Sequence, residues 1–171
     1  MASPSRHEGD HHFVGSVAFL SSVNLPDATV DDDAIESGAN IAYSKTQTLF
    51  PLRHTQTGTV VAATEIVHVA HGNGALLSVE AVVSTIATGA DRTVTIDVQK
   101  STGGGAFATL LTTTIILDDD SVVRVPEAGT VSGTPTFLDG DVIEIIVTVA
   151  GSAGAQAAGL CVTAMVYEES A

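Results

Sequence analysis

Phe137-Leu138-Asp139-Gly140-Asp141, running into Val142-Ile143-Glu144-Ile145-Ile146-Val147-Thr148-Val149-Ala150, is the stretch that sets the fold class of this chain. Asp-Gly marks a turn because glycine takes a positive φ without a Cβ clash. Beyond it Ile143, Ile145, Val147 and Val149 alternate with Glu144, Ile146 and Thr148, the period-two pattern of a strand with one face in a core. The small residues of 151–159 then read as a flexible connection. In 160–167 the alternation returns, with Leu160, Val162, Ala164 and Val166 on one face and Cys161, Thr163, Met165 and Tyr167 on the other. An isolated hairpin would leave both faces of two such strands wet, so they must lie inside a sandwich. They read as neighbouring strands of a closed antiparallel domain.

Upstream, turn signals recur about every ten residues, the rhythm of an all-β sandwich or barrel. Strands are predicted over 46–56, 63–71, 75–87, 93–100, 107–117, 121–126, 129–137, 142–150 and 158–168. In 93–99, Val94, Ile96 and Val98 point one way and Thr93, Thr95, Asp97 and Gln99 the other. Gly103, Gly104 and Gly105 make a hairpin tip. Leu110 and Leu111 are adjacent, which implies a bulge or a strand buried on both faces. Pro126-Glu127-Ala128-Gly129 reads as a break. The pattern predicts an all-β antiparallel sandwich, jelly-roll-like, over 46–171.

Residues 1–45 read differently. A polar, histidine-bearing start precedes an apolar run at 13–20, and an acidic segment, Asp31-Asp32-Asp33, leads into a short helical turn ending near Gly38. The apolar run cannot form a core alone. It either folds back as an extra strand or docks on a partner, and the reading adopted is an extended N-terminal arm with Phe13, Val17, Phe19, Leu20 and Leu25 as its docking side chains.

Composition narrows the chemistry. The chain has 171 residues, 20 acidic against 6 basic, for a formal charge of −14. Such a surface repels nucleic acid and anionic lipid, so neither is an expected partner. Five Phe, two Tyr and no Trp leave the core to aliphatic residues and offer little aromatic platform for a sugar. The lone Cys161 cannot form an internal disulfide and reads as a small buried hydrophobe. No stretch reaches the roughly 18 apolar residues of a membrane span, and the start lacks a signal-peptide pattern. Synthesis in the cytoplasm is the expectation.

Candidate sites each meet a plainer reading. His7, Glu8, Asp10, His11 and His12 could hold a transition metal, but only adventitiously in so short a terminal run. Asp31–33 and Asp118–120 lack the alternate spacing and glycine of a calcium loop and read as solvated turns. His68 and His71, three apart on one strand, should point to opposite faces, and no Ser, Cys or Asp context marks a nucleophile. A cupin-type enzyme needs a histidine–carboxylate cluster, yet His54, His68 and His71 show no His-X-His spacing. The triple glycine is no phosphate loop, since neither Lys-Ser/Thr nor a helix follows. No metal, cofactor or catalytic residue is expected, and the chain reads as a non-enzyme.

A resemblance then enters. Asp27-Ala28-Thr29-Val30 through Ala42-Tyr43-Ser44-Lys45, Thr93-Val94-Thr95-Ile96-Asp97-Val98-Gln99-Lys100, Glu127-Ala128-Gly129-Thr130-Val131-Ser132 and Asp139-Gly140-Asp141-Val142 resemble small virion proteins of tailed bacteriophages, head decoration (cement) proteins among them. The resemblance spans about 27–168 and carries no catalytic signature. It implies a symmetric homo-oligomer, a trimer, fixed to the major capsid protein on the virion surface, with the arm as anchor. The alternative is a tail- or fibre-associated sandwich binding a host-surface glycan, since jelly rolls also occur in lectins.

Overall fold

The computed structural model describes residues 47–89, 91–133 and 135–169, and every regular element among them is a strand. In chain order these are β1 (Gln47–Thr59), β2 (Ala63–Val69), β3 (Gly74–Thr85), β4 (Thr93–Ser101), β5 (Ala108–Thr109), β6 (Leu111–Thr113), β7 (Ile115–Leu117), β8 (Glu127–Val131), β9 (Thr136–Phe137), β10 (Val142–Ala150) and β11 (Ala158–Glu169). The arm, its docking residues Phe13, Val17, Phe19, Leu20 and Leu25, and the short helix near Gly38 lie outside the described residues.

The strands form two antiparallel sheets. One has the order β1-β11-β3-β8-β6 with β9 also on β3, and the other β2-β10-β4-β5 with β7 also on β4. The pairing is nested: β1 takes β11, β2 takes β10, β3 takes β8 and β9, and β4 takes β5 and β7. A long hairpin rolled over itself has this connectivity, so the domain is an all-β jelly-roll sandwich.

The core follows the alternation. Val94, Ile96 and Val98 of β4, Ile143 and Ile145 of β10, and Val162, Ala164 and Val166 of β11 are fully buried, and Val147 and Leu160 nearly so. Each such valine, isoleucine or leucine contributes about 1.5–3 kcal/mol of burial, so these alternating positions alone drive the sheets together. Among the described residues Phe137 is the largest fully buried side chain.

Five expectations are corrected. β10 and β11 are not sheet neighbours: β10 lies between β2 and β4, β11 between β1 and β3, and their apolar faces meet across the core. Alternation identifies a buried face but not the partner strand. Residues 107–117 are not one strand; β5 and β7 pair with β4 while β6 pairs with β8, so the chain changes sheets and buries both Leu110 and Leu111. No strand covers 121–126. Val122, Val123 and Val125 are exposed, and Arg124 has φ 62°, a left-handed conformation that ends strand pairing. Instead Glu127 opens β8, where a break was expected, and the predicted strand 129–137 divides into β8 and β9 around Gly133 and Pro135.

Two loops, the expected Asp-Gly turn and the connection after β10, are held by side chains. At the Asp-Gly turn, Gly140 takes φ 81°, its N–H donates to Ala70 O at 2.9 Å, and the buried Asp141 carboxylate accepts from Leu138 N at 3.0 Å. Lys100 Nζ lies 3.5 Å from the same carboxylate. The connection 151–157 is fastened to residues 88–92 by hydrogen bonds. Asp91 accepts from Ser152 N and Ala153 N, Arg92 donates to the carbonyls of Ser152 and Ala153, and Thr88 Oγ1 accepts from Ala155 N. Gly154, at φ 74°, approaches Thr88 O so closely that no Cβ could fit.

Candidate functional site

The inner side of β2 gathers the histidines. Its register on β10 passes from His68 opposite Ile143 to Ile66 opposite Glu144, which makes Val67 a bulge. In a plain strand residues three apart face opposite ways; across the bulge Glu65, opposite Ile145, and His68 share the inner face. Each then reaches the other sheet. Glu65 Oε2 bonds His54 Nδ1 of β1, and His68 Nε2 bonds Glu168 Oε2 of β11 at 2.9 Å. The two pairs tie the sheets together along the edge where β1 faces β2.

His71 was expected to diverge from His68. Instead β2 ends at Val69, the chain bends, and His71 N donates to the second oxygen of Glu168, with the two imidazoles 6.5 Å apart. Phe50 and Phe137 pack edge-on against His68 at 5.1 and 6.5 Å. Glu168 is therefore buried but satisfied by two donors, as a buried carboxylate must be. The signal available in the sequence was the run Glu65-Ile66-Val67-His68; the bulge that aligns its ends was not legible.

The form of His54 follows from its neighbours. Val61 N can only donate, and it donates to Gln56 Oε1 at 2.8 Å, which makes Gln56 Nε2 the amide nitrogen. That nitrogen donates to Val61 O and to His54 Nε2, each at 3.0 Å. Nε2 of His54 is thus an acceptor, and Nδ1 carries the proton given to Glu65. Neither His54 nor His68 bonds a serine, threonine or cysteine, and among the described residues no three His, Cys, Asp or Glu side chains converge on a possible metal position. Asp118 accepts from Asp120 N at 3.1 Å and closes its own turn, leaving Asp119 and Asp120 in solvent.

Two carboxyls are shifted. Backbone N–H of Ser152, above all, then that of Ala153 and the charge of Arg92, hold Asp91 below the usual carboxylate range, against the opposing pull of desolvation. Burial, reinforced by the charge of Asp97, pushes Glu144 up. Glu144 is on the outer face of its sheet, opposite Ile66 and Gln99, yet only 6% exposed.

The outer face of the other sheet carries a recess of about 120 Å³ lined by Glu80, Ala81, Val82, Pro126, Cys161 and Thr163. Cys161 is therefore half-buried and outward-facing, not a core residue. Beside it, Val122 is 59% exposed, Val123 40% and Val125 48%, with Arg124 among them.

No family model matches the chain, and no curated protein matches it. Among solved structures it is similar to a chain of the disulfide-linked pili that form Bacillus endospore appendages, at 16% identity over 74% of this chain and 90% of that one, with a TM-score of 0.37. It is also similar to a chain of Desmodium yellow mottle tymovirus, at 9% identity over 96% of both, with a TM-score of 0.30. At these scores neither likeness assigns a function.

Proposed function

We propose that this chain is a capsid decoration protein of a tailed bacteriophage, a non-enzymatic homotrimer that binds the outside of the major capsid shell and stabilises it. The observation that carries the reading is the nested jelly-roll connectivity with loops fastened by Asp91, Arg92 and Asp141, a rigid block of the kind that recurs in viral shells. Fold alone does not imply function, and the resemblance of the quoted segments to virion proteins supplies the rest of the support. The acidic surface agrees with a protein displayed on a particle and not one that grips its nucleic acid.

Anchoring falls to Phe13, Val17, Phe19, Leu20 and Leu25. Burying them against the shell supplies about 1.5–3 kcal/mol each before the cost of ordering the arm, and several arms per oligomer add avidity. The test is deletion of residues 1–25. The truncated protein should keep the melting temperature of the full chain yet fail to co-sediment with undecorated capsids. Unfolding of the truncation would place the segment in the core, and full decoration would place the anchor elsewhere.

A further inference from the structure

An acidic protein repels its own copies, so any contact between them must be placed where cations stand. Among the described residues the basic side chains are Arg53, Arg92, Lys100 and Arg124. Arg92 is committed to the carbonyls of 152 and 153, and Lys100 to Asp141. Arg53 and Arg124 are exposed and bond nothing through their guanidinium groups, but Arg124 is the one that stands among three exposed valines. Its backbone is fixed, since Arg124 N donates to Val83 O and Val125 N to Val122 O, both at 3.1 Å. The same segment supplies the opposite charge: Asp119 and Asp120 are exposed, and their carboxylates bond nothing.

We propose that copies of this chain associate through residues 119–125, meeting around a rotation axis with Val122 and Val123 of each copy packed on those of the next. Arg124 then faces Asp119 and Asp120 of the neighbour. Acids, valines and arginine occur in that order within six residues, so one segment carries both members of a charge pair and can meet its own copies around an axis. A partner offering only acids would match Arg124 but leave Asp119 and Asp120 facing like charge. The inference adds a location to the oligomer of the proposed function and rests on that reading only for the expectation that copies associate.

Native mass spectrometry and light scattering of the full chain test it. The wild type should be oligomeric at micromolar concentration, and Arg124→Glu should weaken self-association by about tenfold or more with an unchanged melting temperature. Combining Arg124→Glu with Asp119→Lys and Asp120→Lys should restore the oligomer, because the exchanged charges again face each other. Arg124→Asn, which suits a positive φ and only removes the charge, should give an intermediate loss and stands in should the glutamate variant fail to fold. A monomeric wild type at sub-millimolar concentration overturns the inference, as does an oligomer indifferent to Arg124→Glu. Co-sedimentation with capsids reads the other question: a wild type that oligomerises through this segment but ignores capsids sinks the decoration reading alone.

Discussion

Gln56 donates to Nε2 of His54 at 3.0 Å while its amide is fastened at both ends to the backbone of Val61. The Gln56 amide therefore braces the β1–β2 connection from both its oxygen and its nitrogen, and leaves the Nδ1 side of His54 to Glu65. Removing the amide should loosen that connection before the sheets part. Hydrogen exchange at Val61 should be faster in Gln56→Ala than in the wild type. In Gln56→Glu, whose carboxylate still accepts from Val61 N, the acceleration should be smaller. Equal acceleration in both variants would count against the arrangement.

Asp91 carries a pH dependence of defined sign. Its folded value is depressed, chiefly by the Ser152 N–H, so its contribution is present above the unfolded carboxylate value of about 3.9 and is lost as pH falls through the lower folded value. Asp91→Asn should lower the melting temperature at neutral pH, and the difference from wild type should shrink in strong acid. A difference independent of pH would show that the carboxylate charge is not what fastens residues 152 and 153.

Glu144 behaves oppositely. Burial and Asp97 raise its folded value, so the fold bears a penalty above that value which is relieved as pH falls towards the unfolded glutamate value of about 4.3. Glu144→Gln should be more stable than wild type at neutral pH and equal to it well below pH 4 or so. Denaturant titrations at both pH values decide the matter, and a destabilised variant at neutral pH would mean that the carboxylate has a favourable role on this face.

The core assignment is testable with one pair. Ile145 is fully buried and Thr95 is half-buried on the outer face of the same sheet. Ile145→Ala should cost about 2–5 kcal/mol in denaturant titration, whereas Thr95→Ala should cost less than about 1. Comparable losses would reverse the faces.

The faces of β4, β10 and β11 were legible in the sequence because side-chain direction in a strand depends only on position parity, which Val94, Ile145 and Val162 display openly. Strand partners were not, because nested pairing joins residues more than a hundred positions apart, as Gln47 joins Glu169. The cross-sheet histidines stayed hidden for a related reason: the bulge at Val67 changes parity, and nothing in the residue types announces it. The β-branched Val122 and Val123 favour a strand, but exposure and the left-handed Arg124 show that propensity yields to the loop's own geometry. The docking side chains of the arm lie outside the described residues.

The place of β11 between β1 and β3 has a consequence for biosynthesis. β1 leaves the ribosome first among the described strands, and among the described residues its sheet neighbour is β11, the last of those strands to be made. Until Ala158–Glu169 emerges, the edges of β1 and β3 that β11 will join present unpaired backbone, the state in which β-rich chains pair wrongly with one another. Sandwiches of such non-local pairing fold in milliseconds to seconds, and those edges stay open for that time as well. A nascent chain stalled or cleaved before residue 158 would lose two strand pairings at once and become a seed for aggregation.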